Sequence, residues 1–91
     1  MRIQVTVPQM LEHATGGSRH VFVDGERLSD AIANLQAAWP LLTPLVWDDH
    51  LQLRRHIMVF LNDQSLNWLD DPNPLLKEGD ALQIVQAVSG G

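Results

Sequence analysis

Four histidines, two pairs of adjacent aspartates and one Thr-Gly-Gly run are the residues of this chain whose types can do chemistry by themselves. His13, His20, His50 and His56 are candidate metal ligands or proton carriers. Their separations fit no metal-ligand spacing and no cysteine completes a set, so they read as solvated or hydrogen-bonded side chains. Asp48-Asp49 and Asp70-Asp71 offer carboxylate pairs for general acid and base work, yet adjacent acids in loop-like sequence ordinarily solvate a surface. Thr15-Gly16-Gly17 would cradle a phosphate only ahead of a helix N-terminus, and a strand pattern follows it instead. There is no G-x-S-x-G elbow, phosphate loop, H-E-x-x-H or Rossmann glycine run. The residues therefore point away from an enzyme and from any bound cofactor or metal.

One feature survives this sorting: the chain ends on Gly90-Gly91, directly after a strand pattern. At an average usage of about 7% glycine per position, such an ending arises by chance in roughly 0.5% of chains, which makes it worth a chemical reading. A carboxylate carried on two residues without side chains can thread a narrow tunnel and present its terminal carbon to another enzyme's catalytic groups. Val88 to Gly91, extended, would reach about 13 Å.

The elements that must position this tail follow from periodicity. Arg2 to Val7 alternates, placing Ile3, Val5 and Val7 on one face of a strand that Pro8 ends. Arg19 to Val23 is a second short strand with Asp24-Gly25 as its turn, after a connection read as loop. Leu28, Ile32, Leu35 and Trp39 form one helical stripe, with Ser29 or Asp30 as the cap and Pro40 as the stop. Leu41 to Trp47 admits a further short helical turn, and 48–55 reads as an exposed connection. His56 to Leu61 is the strongest strand, with Leu66 to Leu69 as a short return strand after Asn62-Asp63. Pro74 to Leu76 offers one helical turn, and Glu78-Gly79-Asp80 is a tight turn into a last strand over 82–88.

The order β-β-α-β-β-β describes an α+β domain of the ubiquitin-like β-grasp type, about five strands in a mixed sheet on one main helix. Its helix should cover the face carrying Ile3, Val5, Val59 and Ile84. Its first and last strands should lie side by side in the centre. The domain is expected over 1–88, with a flexible tail at 89–91.

Composition narrows the partners. The 91 residues suit one core, and 45% hydrophobic with 19% charged residues is ordinary globular content. A net charge of −5 removes the basic stripe that nucleic-acid binding requires. The N-terminus reads as neither signal peptide nor membrane span, and the lack of cysteine suits the cytoplasm.

The ending Lys77-Glu78-Gly79-Asp80-Ala81-Leu82-Gln83-Ile84-Val85-Gln86-Ala87-Val88-Ser89-Gly90-Gly91 resembles that of the ubiquitin-like sulfur carriers of the ThiS/MoaD type. The resemblance covers nearly the whole chain. Within that family, His13-Ala14-Thr15-Gly16-Gly17 and Leu61-Asn62-Asp63 look most like the carrier of the O-phosphoserine route to cysteine. Ser89 stands where alanine is commoner, and Gln86 where molybdopterin-type carriers usually have proline. The resemblance implies a protein cosubstrate. An E1-like enzyme would adenylate the Gly91 carboxylate with ATP, and a sulfur source would turn the adenylate into a thiocarboxylate. A cysteine synthase-type enzyme would accept the sulfur, and a metallopeptidase would act at the C-terminus.

Docking of such partners is expected on the sheet face opposite the helix. Met58 and Phe60 fall out of phase with Ile57, Val59 and Leu61, and Val85 and Ala87 out of phase with Ile84. The resemblance places a hydrophobic contact at Val85. Trp39, Trp47 and Trp68 are read as core. Two other readings stay open: sulfur delivery to molybdopterin or to a thio-containing natural product such as a siderophore, and a ubiquitin-like modifier or plain interaction domain.

Overall fold

A computed structural model describes residues 1–87 of the chain. β1 (Arg2–Thr6) and β2 (His20–Asp24) pair antiparallel, with Ile3 opposite Val23 and Val5 opposite Val21. All four of these side chains are buried, as the alternation predicts. The connection between them is not plain loop. Gln9–Thr15 forms a 3₁₀ helix that buries Leu11, Ala14 and Thr15 and ends at Gly16, whose φ of 68° suits glycine.

α1 (Leu28–Ala38) turns Leu28, Ala31 and Leu35 into the core, while Ile32 and Trp39 are half-buried against it. Its start differs from expectation. Neither Ser29 nor Asp30 is the N-cap; that position is Arg27, whose backbone N–H donates to Asp30 Oδ2 at 3.0 Å. The Ser29 N–H is satisfied by Asn73 Oδ1 at 2.8 Å, and Arg27 Nη1 donates to the Asn73 carbonyl at 3.0 Å. Residues far along the chain thus satisfy orphan donors of the first turn, Asn73 that of Ser29 and the Pro74 carbonyl that of Leu28 at 3.1 Å. α2 (Thr43–Val46) is the short turn anticipated before Trp47. In the connection after it, N–H bonds from Gln52 and His50 hold the Asp48 carboxyl below the ordinary carboxylate range.

β3 (Ile57–Leu61) and β5 (Ala81–Gln86) pair antiparallel, and β5 pairs parallel with β1. The return strand, β4 (Gln64–Ser65), is only two residues long. Leu66–Trp68, expected as strand, is a 3₁₀ turn started by the Ser65 side chain, which accepts the Asn67 N–H. Trp68 is correspondingly 75% exposed, against the expectation of a core residue, whereas Trp47 is buried. Leu75 forms a bridge with Arg27 rather than a helical turn. The sheet order is β2-β1-β5-β3-β4, so the last strand is central and the first lies beside it. With Ile3, Val5, Val59 and Ile84 buried on one face, this is the β-grasp layout anticipated above.

The seat of α1 on the sheet depends on Gly25, which is buried at the turn after β2. A Cβ there would meet the Ala31 backbone nitrogen at 2.5 Å. Gly25→Ala must therefore push the helix away from β2. We expect it to lower stability by about 1–3 kcal/mol in urea unfolding. An unchanged midpoint would contradict this close approach.

Candidate functional site

β5 owes its anchoring to hydrogen-bonded neighbours on both sides and to a clamp at its start. Asn62 follows β3 at a φ of 56°, a conformation asparagine tolerates better than most residues. From there its backbone N–H donates to the Ala81 carbonyl at 2.8 Å, and its Oδ1 accepts the Ala81 N–H at 3.0 Å. Its Nδ2 donates to Asp80 Oδ1 at 2.9 Å, and Asp80 Oδ2 accepts the Lys77 N–H at 2.8 Å. Gly79, at a φ of 89°, makes that turn possible. At the other end the ladder runs one residue past β5, where the Ala87 N–H donates to the His56 carbonyl at 2.8 Å. The chain is therefore tied to the sheet up to the last described residue. Ser89, Gly90 and Gly91, read as the reactive tail, lie outside the described residues, as does Val88 of the expected strand.

Alternation sends every second side chain of β3 and β5 away from α1. Met58 stands opposite Val85, and Phe60 opposite Gln83. Met58 and Ala87 are exposed, and Phe60 and Val85 are half-buried. The four residues read as a docking face thus share the sheet surface that the helix leaves uncovered. Phe22 was missed. It is 52% exposed on the same side in β2, with the Arg2 guanidinium 4.5 Å from its ring centroid. The parity of Val21 and Val23 already implies its outward position. Polar side chains of β1 separate it from the β3–β5 patch: His20 Nδ1 lies 2.7 Å from Gln4 Nε2 and 3.1 Å from Thr6 Oγ1.

The other chemical candidates are not brought together. All four histidines are exposed, and among the described residues no three histidine or acidic side chains are placed to share a metal ion. Asp48 and Asp71 each accept backbone N–H groups two residues on, which is turn chemistry. Thr15 Oγ1 donates to the Glu12 and Ser18 carbonyls and closes the loop at Gly16-Gly17. No helix among the described residues is long and apolar enough to cross a membrane.

Comparison with known proteins agrees with this geometry. Residues 5–91 match the model of the ThiS family. The sulfur carrier protein CysO of Mycobacterium tuberculosis is 27% identical over the full length of both chains. The chain also superposes on one from the Amycolatopsis orientalis BexX/CysO complex with a TM-score of 0.81 and 27% identity, covering 98% of this chain and 99% of the other. SAMP1 from Haloferax volcanii gives a TM-score of 0.79 at 29% identity, with both chains covered completely.

The two faces of β3 should respond oppositely to charge. Met58→Lys, on the uncovered face, should cost about 1 kcal/mol or less, the span of strand propensities. Val59→Lys puts an unpaired ammonium in the core and should leave the protein unfolded by circular dichroism. Unfolding by Met58→Lys would show that the outer face is covered.

Proposed function

The chain belongs to the ThiS family, and on that premise we propose that it works as a cytoplasmic sulfur carrier whose reactive group is the carboxylate of Gly91. It is a protein cosubstrate and not a catalyst. The observation that carries the reading is the match to CysO through the full length of both chains. The chemistry supplies the reason for the partners. A carboxylate is a poor electrophile, so an E1-like enzyme joins it to the AMP portion of ATP and releases pyrophosphate. A sulfur nucleophile then attacks the acyl carbon, AMP leaves, and the thiocarboxylate that remains is a soft nucleophile on a large protein handle. ATP is consumed by the partner, and the carrier binds no cofactor.

Recognition falls to the uncovered sheet face. Met58, Phe60, Val85 and Ala87 form an apolar surface beside the root of the tail, of the kind that marks docking sites. Incubated with the E1-like enzyme of its own organism, ATP and sulfide, the full chain should gain the mass difference between sulfur and oxygen. Met58→Lys and Val85→Lys should raise the KM for the carrier tenfold or more, on the order of 1.4 kcal/mol or above. Equal conversion of a chain lacking Gly91 would refute the reading.

For the acceptor, the name CysO favours cysteine formation, with which the absence of proline at Gln86 agrees. The tail would enter a tunnel ending at an enzyme-bound aminoacrylate, whose electrophilic carbon takes the sulfur. Transfer of the Gly91 acyl group from sulfur to the new amino group then leaves cysteine joined by an amide bond, which a metallopeptidase would cut. Thiocarboxylated carrier mixed with an O-phosphoserine-using synthase should become heavier by one cysteine residue. Loss of sulfur to a pterin precursor or natural product, with no such adduct, would favour the other acceptors.

The likeness to SAMP1, a small archaeal modifier protein, supports a second reading, in which the activated tail joins lysines of other proteins. Lys77 is the only lysine, so chains of this protein could branch at one position alone. Isopeptide-linked conjugates in cell extracts would mark that activity.

A further inference from the structure

Two Arg-His pairs, Arg19-His20 and Arg55-His56, stand at the starts of β2 and β3. Each leads into a strand that runs away from the edge of the sheet where β5 ends. The Arg19 carbonyl accepts the Val7 N–H at 2.8 Å, and the His56 carbonyl accepts the Ala87 N–H at 2.8 Å, so both pairs are fixed to the sheet by main-chain bonds. By sheet order β3 adjoins β5 directly and β2 is one strand further on the other side. At the usual strand spacing and rise Arg55-His56 therefore adjoins Ala87 at roughly 5 Å, while Arg19, level with Val7 and so by register with Ile84, lies on the other side of β5, roughly 10 Å across the sheet and roughly 10 Å short of Ala87 along it. All four side chains are exposed.

Acids are absent from this edge in sequence: none lies within the five positions that continue β1, β2, β3 and β5 beyond it. At the opposite edge Asp24, Glu26, Asp63, Glu78 and Asp80 crowd the ends of the same strands. A chain of net charge −5 thus carries the permanent charges of Arg19 and Arg55 at the end of the sheet where β5 stops, and the nearest acid in sequence there is Glu12, six positions past β1. Arg54 is engaged elsewhere, its Nε donating to the Pro44 carbonyl at 2.6 Å.

We propose that Arg19 and Arg55 form a collar that steers the tail into its activating enzyme by pairing with an acidic rim around the enzyme's tunnel. This rests on the carrier reading above. A rim, and not the nucleotide, is the fitting counterpart. Four residues, when extended in a tunnel, would span about 13 Å, which would put the reacting carboxylate beyond the collar. Opposite charges at a docking mouth act mainly on the association rate and are screened by salt.

The test is stopped-flow association of the full chain with its E1-like enzyme at about 0.01 M and about 0.15 M ionic strength. Arg19→Glu/Arg55→Glu should slow association at least tenfold at the lower ionic strength and flatten the salt dependence. Arg19→Gln/Arg55→Gln should show a smaller loss of the same kind, and serves if charge reversal disturbs the fold. Lys77→Glu alters the net charge as much as one reversal but at the far edge, and should leave the rate within about twofold. Equal slowing by Lys77→Glu and by Arg19→Glu alone would reduce the effect to net charge and overturn the collar. So would unchanged rates in the arginine variants, or a raised KM for ATP with unchanged association. If the wild-type chain gains no sulfur with this enzyme, the carrier reading itself falls, and the collar with it.

Discussion

The parallel pairing of β1 with β5 is the constraint on which the rest of the molecule depends. Gln4, Val5 and Thr6 lie beside Ala81, Leu82 and Gln83, so the two ends of the described chain close into the middle of one sheet. Parallel neighbours cannot be joined by a tight turn, and everything between them serves as crossover and cover. α1 supplies the cover on one face with Leu28, Ala31 and Leu35. Because a single helix and short turns cannot wrap both faces, the other face stays open, and it is there that Met58, Phe60 and Val85 reach the surface. Central placement of β5 also means that the residues following it emerge from the best-supported strand rather than from a frayed edge.

Polar groups finish what the core begins, and they act at the two ends of β5 in different ways. At its start, Asn62 and Asp80 bind turn to turn through side chains whose donors and acceptors are matched one to one. At its end the bond among the described residues is a backbone one, from the Ala87 N–H to the His56 carbonyl. A carrier needs this division. Its reactive group must be narrow, while the handle must be stiff and distinctive enough for more than one enzyme to grip.

The elements legible in the sequence were those with long periodic signals: β1, β2, α1, β3 and β5, together with the outward phase of Met58, Phe60 and Val85. Short elements failed where a local polar bond competed with an apolar pattern. Leu66, Trp68 and Leu69 look like strand, but the Ser65 hydroxyl captures the Asn67 N–H and curls the chain into a 3₁₀ turn, leaving Trp68 in solvent. The 3₁₀ helix over 9–15 had a readable signal in the spacing of Leu11, Ala14 and Thr15, obscured by the glycines after it. The start of α1 was only partly legible locally, since the Arg27 N–H goes to Asp30 three residues on but the Ser29 N–H is satisfied by Asn73 across 44 residues. The reading of the tail came from chemistry, two glycines and their family likeness, and falls outside the described residues.

The central claim is that the reactive end is presented from a rigid root. Native-state hydrogen exchange of the Ala87 amide tests it most directly, since that N–H makes the last described bond of the ladder, to His56. The account predicts that it opens with a free energy approaching that of global unfolding, alongside Val59 and Ile84. Exchange at the rate of an unstructured amide, while those core amides stay protected, would show a frayed root and contradict the account.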